Sequence, residues 1–488
     1  MDAIKDDDTA TKTNEGYQSD DLGEEHESRH HDPETPKEEQ KQKRIRLLKQ
    51  CFKMFLCSLG MWSMGSMFAF PSVVANDLKQ HNTTIYGSYI SLSNSQLDMM
   101  SSFLSLFALP GAWVVAPLMN ILGRRPSMLI FGLLLILGWI GVVLLPGSTG
   151  LLVARCVCGF SAGGVSIVIN TYAIEASDPD VRGMMFVIIN NGIYAGQVVT
   201  MAAGYGPRYY TVALIDLILP IGFVISLFWL PESPSFLVVK GRTEAARKVL
   251  LNLRGPHSDI DSEIKSYQDM NIASQTSKVQ WKDLFRAPYL KRMGIVCVLF
   301  VSMYFTGFLV VSSNASRIFA EAGSTIDDSL AAIIVTAVQL MAGIVSSFLM
   351  DRLGRRRSLI LSYCGMFLPL AILAVYIGSV DADNEGPTTF GWVPLVCLML
   401  SQAAVVLGVN PIPYILSNEY FPTALRSQAS SICFTFATLA SVAALQLYTP
   451  MTEGMTQTGL YAFYASVSAV GVPFCYFFVQ ETTGELVG

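Results

Sequence analysis

Twelve long apolar stretches constrain this chain of 488 residues more than any other feature. Each is long enough to cross the ~30 Å hydrocarbon core of a bilayer as an α-helix. They lie at 54–76, 99–123, 126–146, 156–174, 183–207, 209–230, 293–316, 329–350, 358–380, 391–417, 427–451 and 457–480. Backbone groups in hydrocarbon must be paired within the chain, and helices meet that need where isolated strands do not. The sequence therefore predicts an all-α membrane protein with twelve transmembrane helices in two pseudo-symmetric six-helix halves.

Composition agrees with a chain whose solvent is lipid. Hydrophobic residues make up 51% of the sequence and charged residues 15%, whereas charged residues usually make up about a quarter of a soluble domain. The mean hydropathy is +0.43. These values exclude an ordinary soluble globular protein.

The net charge of −5 is distributed unevenly. Residues 1–40 carry 14 Asp and Glu against 4 Lys and Arg, with few large apolar side chains, so they cannot bury enough surface to fold. A short amphipathic helix is predicted at 243–250, between the halves. The predicted domains are a disordered acidic cytoplasmic tail at 1–45, a six-helix half at 46–231, a cytoplasmic linker with short helices at 232–290, a second six-helix half at 291–480 and a cytoplasmic tail at 481–488.

Basic residues predict how the chain crosses the membrane. They cluster before the first stretch, in the linker and at every other turn on that side, while the opposite side carries little beyond Lys79, Arg208 and Arg317. Both termini are therefore predicted to be cytoplasmic by the positive-inside rule. The chain is predicted to be a multi-pass protein of the plasma membrane, with Asn82, in a sequon of the first outward loop, as its glycosylation site.

A charged signature occurs once in each half. A Gly-Arg-Arg motif begins at 123 and again at 354, and each copy is followed by a Glu and, after six further residues, an Arg. Arg side chains can bond to carboxylates and to the last carbonyls of helices. We therefore predict a lock that holds a cytoplasmic gate shut, and we expect Glu419→Gln to favour inward-facing states. The predicted lock consists of Arg124, Arg125, Glu175, Arg182, Asp351, Arg352, Arg355, Arg356, Glu419 and Arg426.

Further motifs appear in a fixed order beside this signature. They read Pro-Glu-Ser-Pro at 231–234, Pro-Ile-Pro-Tyr at 411–414 and Glu-Thr-Thr-Gly at 481–484. Together with the doubled Gly-Arg-Arg, they resemble the sugar porter family of the major facilitator superfamily over roughly 45–488, and within it the insect facilitated trehalose and glucose transporters. The resemblance implies the major facilitator fold, in which two halves rock around a central site, and a sugar, either a hexose or trehalose, as solute.

The residues at the implied sugar site depart from the family pattern. Helix 7 of the family carries two Gln and one Asn whose amides bond sugar hydroxyls, whereas 303–309 here reads Met-Tyr-Phe-Thr-Gly-Phe-Leu. The Asn-Trp pair of helix 11 is replaced by Ala-Thr at 437–438. Asn190 stands where helix 5 of the family has Gln, and Gln339 stands where helix 8 has Asn. The predicted solute contacts are Asn190, Tyr304, Thr306, Gln339, Asn410 and Tyr414.

Two alternatives stay open from the same residues. The more apolar helix 7 suits a less hydroxylated organic solute, because a site built for hydroxyls discriminates poorly without polar partners. The loss of amides also suits a nutrient receptor that binds without transport. Residues 54–76 lack the acid that proton-coupled relatives carry in helix 1, which predicts a facilitator without ion coupling. Asp98 and Asp216 are expected to have structural roles toward the outer leaflet.

Patterns for other classes of function are lacking in the sequence. The nine cysteines show neither a disulfide framework nor metal-ligand spacing. Neither a nucleophile-base arrangement nor a nucleotide loop appears, so we predict that the protein is not an enzyme and uses no cofactor or metal. Nucleic acid and an obligate protein partner are not indicated. The predicted partners are a small solute and the lipid bilayer.

Glycines and prolines mark where helices are expected to approach one another closely or to be interrupted. Pro411 and Pro413 are expected to interrupt helix 10 near the centre of the membrane. Helices are expected to approach closely at Gly159, Gly163, Gly164, Gly192 and Gly196.

Overall fold

The computed structural model describes residues 36–178, 181–254, 259–276, 284, 286–321, 326–383, 390–421 and 423–481. The chain divides into two units, Met1–Ile45 and Arg46–Gly488. In chain order the helices are α1 (Pro36–Gln80), α2 (Asn94–Leu122), α3 (Arg124–Leu144), α4 (Gly147–Ala176), α5 (Arg182–Ala203), α6 (Tyr209–Ser226), α7 (Pro234–Val239), α8 (Thr243–Arg254), α9 (Ile260–Thr276), α10 (Ala287–Phe305), α11 (Phe308–Glu321), α12 (Asp328–Leu353), α13 (Arg355–Asp383), α14 (Val393–Leu407), α15 (Pro411–Glu419), α16 (Thr423–Gln446) and α17 (Tyr448–Phe478).

Twelve helical segments are long and apolar enough to cross a membrane. The first six are the Leu47–Gln80 part of α1 and helices α2–α6, and the last six are formed by α10–α17, with α10 and α11 counted together and α14 and α15 likewise. Within the described ranges, β pairing is limited to one bridge between Thr83 and Tyr89, in the loop after α1. The predicted twelve spans and the all-α fold are confirmed.

Two of these spans are broken near their centres. The seventh consists of α10 and α11, with Thr306 and Gly307 between them, and the tenth consists of α14 and α15, with residues 408–410 between them. Pro411 begins α15, a position where the missing N–H costs no hydrogen bond. The break predicted at the prolines is confirmed and lies just before Pro411. The break in the seventh span is an addition that the sequence did not predict.

Helix α1 begins earlier than the sequence predicts. The sequence predicts disorder for residues 1–45, whereas 36–45 are helical. This segment is rich in Lys, Glu and Gln, which form helices readily, and a proline at the first position is already set to the helical φ. The remainder of the acidic tail, residues 1–35, lies outside the described residues.

Buried side chains form two large apolar cores. One draws nearly all its members from α1–α6, with Phe131 and Trp139 among its fully buried rings. The other draws nearly all its members from α10–α17, with Phe300 and Tyr363. Two separate cores suit a pair of halves that rock against each other. The boundaries at 46–231 and 291–480 stay predictions.

The linker helices α7, α8 and α9 share a small core of their own. It includes Leu237 of α7, Leu250 of α8 and Ile264 of α9. The amphipathic helix predicted at 243–250 is present as part of α8. These helices lie at one end of the membrane helices, which we call the linker end, and we call the opposite end the far end.

Arg254 joins the linker helices to the first half. Its side chain is 3% exposed and donates to the carbonyls of Ala176 and Ser177 at the end of α4. It also pairs with Glu263 and Asp178. Burial alone lowers the pKa of Arg254, but the two carboxylates outweigh burial and the pKa is raised. A permanent cation is favourable here because the end of α4 carries partial negative charge.

Candidate functional site

The first copy of the charged signature forms an ion pair at the linker end. Arg124 starts α3 and meets Glu175 at the end of α4, with Nε 2.8 Å from Oε2 and Nη2 2.7 Å from Oε1. This two-point geometry is the strongest form of the Arg-carboxylate contact. Ser233 donates its hydroxyl to the same carboxylate. Glu175 therefore joins α3, α4 and the start of the linker.

Glu232 has a role that the sequence did not indicate. Its carboxylate accepts from the backbone amides of Arg124, at 2.9 Å, and Arg125, at 3.3 Å. These amides begin α3 and have no partner inside the helix. Gly123 turns the chain into α3 with φ +105°, and a Cβ there would lie 2.6 Å from Glu232 Oε2. Only glycine admits both that backbone conformation and the carboxylate.

The second copy repeats this arrangement with different residues. Glu481 accepts from the backbone amides of Arg355, at 2.8 Å, and Arg356, at 3.1 Å, at the start of α13. Arg355 Nη2 lies 3.2 Å from Glu419 Oε1 at the end of α15. Gly354 has φ +83°, and a Cβ there would lie 2.6 Å from Glu481 Oε2. The duplication seen in the sequence thus extends to a glutamate that follows each half.

The other members of the predicted lock are placed differently. Arg356 donates to the carbonyl of Tyr476 and lies over its ring, 4.9 Å from the centroid. Arg352 and Arg426 are exposed. The side chains of Arg182 and Asp351 lie outside what the structure describes. The structure therefore brings together two Arg-Glu pairs, each inside one half, and the role of the set as a lock stays a prediction.

We expect Glu232→Ala to destabilise the first half by about 1–2 kcal/mol, the usual effect of losing a helix cap. The amides of Arg124 and Arg125 would lose their acceptor, and Ser233 would lose the neighbour that orders it. The temperature of unfolding in detergent measures this effect. Glu453→Ala, at an exposed position of α17, is the matched control. Equal melting of the two variants would contradict the capping role.

The predicted solute contacts gather mostly around the two helix breaks. Tyr304 in α10 and Tyr414 in α15 face each other with hydroxyl oxygens 3.0 Å apart, and Phe300 packs edge-on against Tyr414 at 4.8 Å. Asn410, in the break before α15, donates to the hydroxyl of Tyr194 of α5 at 2.5 Å. That hydrogen bond joins the two halves of the molecule.

The remaining predicted contacts have other partners. Asn190 of α5 donates to Asn170 of α4 at 3.0 Å and is half-buried in the first half. Thr306 is buried and donates to the carbonyl of Met303 one turn earlier. Gln339 of α12 is fully buried and donates to Gln402 of α14 at 2.6 Å. The structure thus brings Tyr304 and Tyr414 into contact, and places Asn190 and Gln339 in separate polar clusters.

Sequence reasoning missed Tyr194 and Gln402. Tyr194 lies one helical turn after Asn190 on α5, a spacing that puts both on one face, and this was the available signal. Gln402 is a buried polar residue in an apolar run, which is a marker of function in membrane helices. Neither residue belongs to a motif.

Two cavities lie away from the predicted contacts. One of about 400 Å³ lies between α10 and α17 and is lined by apolar residues that include Val301, Phe305 and Phe463. Another of about 140 Å³ lies at the far end and is lined by residues that include Lys79 and Arg317. The predicted solute contacts line neither of these cavities.

At the far end, polar contacts join the two halves. Arg317 of α11 lies 3.6 Å from Asp98 of α2, and Arg317 also donates to the hydroxyl of Thr449 at 3.3 Å. The other Asp98 oxygen accepts from the Thr449 backbone amide at 3.0 Å. Asp98 and Arg317 are 1% and 4% exposed, so water screens their attraction little.

Two further contacts cross between the halves at the same end. Ser72 of α1 donates to Ser316 of α11 at 2.9 Å, and Asn76 donates to Ser329 of α12, also at 2.9 Å. Asp216, the other acid expected to be structural, is buried within the first half and accepts from Thr200 at 2.9 Å.

Comparison with known proteins gives one family and one fold. The family model described as "Sugar (and other) transporter" matches residues 50–487. The chain is 29% identical to the facilitated trehalose transporter Tret1 of Aedes aegypti over 433 residues, which is 88% of this chain and 53% of that protein. It is 27% identical to Tret1 of Apis mellifera ligustica over 453 residues, 92% of this chain and 89% of that protein. The chain thus spans about half of the first relative and most of the second.

Solved structures agree on the architecture. The inward open conformation of the xylose transporter XylE from E. coli matches with a TM-score of 0.73 and 19% identity, covering 88% of this chain and 97% of that one. The peptide transporter POT matches with a TM-score of 0.61 and 13% identity, covering 88% of this chain and 94% of that one. At these identities the likeness is one of fold, and XylE is a protein of the major facilitator superfamily.

Proposed function

The chain belongs to the sugar (and other) transporter family, and from this premise we propose that it carries a sugar across the plasma membrane by alternating access, without ion coupling. The observation that carries the proposal is the family match over residues 50–487, nearly the whole helical part of the chain. Polar groups gathered where two broken spans meet support it, because rocking transporters bind solute near such breaks.

Trehalose and glucose are the first solutes to consider. The relatives from Aedes aegypti and Apis mellifera ligustica are facilitated trehalose transporters. The paired hydroxyls of Tyr304 and Tyr414 offer both donors and acceptors to a sugar, and the ring of Phe300 beside them offers an apolar face. Asn410 and Tyr194 would contact the solute from opposite halves.

Alternating access needs gates at both ends of the solute path. We propose that the Arg124-Glu175 and Arg355-Glu419 pairs stabilise the linker end when it is closed. The contacts between halves at the far end, Asp98 with Arg317 above all, would stabilise the far end when that end is closed. Rocking of one half against the other would break the far-end contacts, because these join the halves.

We expect Glu419→Gln to raise the fraction of molecules with an open linker end, because the charge that holds Arg355 is removed. Reactivity of an engineered cysteine on the linker-end side of α15, read with a maleimide, reports this fraction. Glu453→Gln is the matched control. Unchanged reactivity together with unchanged uptake would count against the lock.

The absence of ion coupling is proposed from the first span and from Asp216. Residues 54–76 contain no Asp or Glu. The buried Asp216 is held by Thr200 within the first half, away from the contacts that join the halves. A carboxylate that stays bonded to its own half throughout the cycle would not couple proton movement to transport.

The proposal also includes the orientation of the chain in the membrane and its glycosylation at Asn82. The linker end is proposed to face the cytoplasm, with both termini there, by the charge rule. Asn82 would then lie outside, where it is exposed on a loop that Arg208 fixes through Thr83 and Asp77. A loss of mass after removal of N-linked glycans, absent in Asn82→Gln, would support this placement.

Uptake of radiolabelled trehalose and glucose into oocytes expressing the chain tests the function. Saturable uptake that does not change with the proton gradient would support a sugar facilitator. Uptake that follows the gradient would contradict the absence of coupling. No uptake despite surface expression would overturn sugar transport.

A second candidate rests on the apolar residues of the broken seventh span. Met303 and Leu309 replace amides that bond hydroxyls in the family, and both are buried in the core of the second half. This composition favours a less hydroxylated solute. Such a solute, or a ligand bound without transport, would raise the unfolding temperature of the protein in a ligand screen while trehalose and glucose would not.

A further inference from the structure

The buried pair formed by Gln339 and Gln402 joins three segments around the break in the seventh span. Gln339 Nε2 donates to Gln402 Oε1 at 2.6 Å and to Ser312 Oγ at 3.2 Å. Gln402 Nε2 donates to the carbonyl of Phe308, the first residue of α11, at 3.4 Å. The cluster therefore fixes α12 and α14 against the start of α11.

One polar atom of this cluster has no hydrogen-bond partner among the described residues. Gln339 Oε1 is buried and lacks a hydrogen bond within the described part of the chain, and the Gln339 side chain is fully buried. Leaving a buried acceptor unpaired is unfavourable. Both Gln339 donors are directed toward Gln402 and Ser312, so the geometry leaves the carbonyl as the free group.

Gln402 determines where that carbonyl points. Gln402 Oε1 accepts a hydrogen bond from Gln339 Nε2. This bond fixes the orientation of the Gln339 amide, because its Nε2 must face Gln402. The carboxamide of Gln402 is itself held by Phe308 at the helix break, and its side chain is 3% exposed. A buried amide pair of this kind is constrained, because a partly satisfied buried network is unfavourable.

We propose that Gln402 is a specificity-determining positioning residue, which holds Gln339 so that its Oε1 accepts a hydrogen bond from one hydroxyl of the transported sugar. This inference rests on the proposed function, because it concerns the same solute. It identifies a source of hydroxyl recognition in α12 and α14 that replaces the amides missing from the seventh span. The solute hydroxyl is the donor, since Gln339 offers an acceptor.

Discrimination between a sugar and its deoxy derivatives tests the proposal. Uptake of labelled glucose or trehalose is competed with unlabelled glucose and with each mono-deoxy derivative of glucose, in wild type, Gln402→Met, Gln339→Met and the double variant. We expect one deoxy derivative to compete about tenfold less well than glucose in wild type, the size of one good hydrogen bond. In Gln402→Met we expect that difference to fall below about twofold.

The double variant and a control separate positioning from general damage. If Gln402 acts through Gln339, the double variant should discriminate no worse than Gln339→Met alone, because the effects of two residues in one unit do not add. Gln50→Met, at a buried glutamine whose amide donates to Asp178 and to the carbonyl of Leu253, should keep wild-type discrimination. If Gln402→Met does not reach the surface, Gln402→Asn, shorter by one methylene, should relax discrimination against the same derivative.

Each outcome bears on one proposal or the other. No uptake by wild type would overturn the proposed function and this inference with it. Uptake by wild type with unchanged discrimination in Gln402→Met or Gln402→Asn would overturn the inference alone. Equal weakening of every competitor in those variants would also overturn it, because a structural role predicts loss without selectivity.

Discussion

Asp98→Asn is expected to open the far end in a large fraction of molecules. The substitution takes away a carboxylate that lies 3.6 Å from the buried Arg317 guanidinium, and removing one partner of a buried pair costs roughly 3–5 kcal/mol. Only conformations that keep the halves together at this end bear that cost. The equilibrium should therefore move toward the open far end by on the order of a hundredfold or more.

Labelling of a cysteine beside the pair measures this shift. Ala75 lines the small far-end cavity together with Arg317 and is 5% exposed, so Ala75→Cys should react slowly with an impermeant maleimide until the halves separate. Asp77→Asn is the matched control, because Asp77 pairs with Arg208 inside the first half. Slow labelling in both variants would contradict a gate at Asp98.

The double variant Asp98→Asn with Arg317→Gln separates the effect of charge from the effect of lost contacts. Removing both charges takes away both members of the pair, and replacing a whole buried pair is often close to neutral for stability. Labelling should then return toward the wild-type rate. If the double variant labels as fast as Asp98→Asn, the effect comes from lost contacts with Thr449 rather than from charge.

Gly163→Val is expected to prevent correct folding of the first half. Helices α2 and α4 cross so closely that a Cβ at Gly163 would lie 2.0 Å from the carbonyl oxygen of Ala108. Backbone cannot move aside as a flexible side chain can, so the helices must separate along their contact. Overpacking usually costs 1–3 kcal/mol and sometimes more, and in lipid no hydrophobic force draws the helices together again.

Detergent stability with a matched glycine tests this expectation. Gly294 in α10 has open space where a Cβ would be placed, so Gly294→Ala should be neutral or stabilise the helix by up to about 1 kcal/mol. Gly163→Val should elute as aggregate in size-exclusion chromatography and lose its unfolding transition. Gly163→Ala should show a reduced unfolding temperature. A monodisperse Gly163→Val that melts like Gly294→Ala would contradict the close contact.

Much of the fold could be predicted because hydrophobicity over a span is a local property. The twelve spans depend on segment length and apolar content, and neither needs a tertiary contact to be recognised. The break before Pro411 was predicted for a similar reason, since a proline restricts its own backbone. The break at Thr306 and Gly307 was not, because a glycine inside an apolar helix carries no sign of its backbone conformation.

The site could be predicted only where a motif pointed to it. Arg124 and Glu175 were placed together from a signature that recurs in the second half. Glu232 lies in a motif that was noticed, but its bond to backbone amides leaves no pattern in side-chain types. Gln402 contacts Gln339, and Tyr194 contacts Asn410. Contacts between distant spans cannot be predicted from the sequence of either span alone.

The two capping glutamates also constrain the order in which the protein can be made. Glu232 binds an amide 108 residues earlier in the chain, and Glu481 binds one 126 residues earlier. A nascent chain released into the bilayer with its first six spans would still lack the acceptor for the start of α3 until residue 232 emerged from the ribosome. A half truncated before its glutamate would therefore lack the carboxylate that accepts from the two amides at the start of α3 or α13.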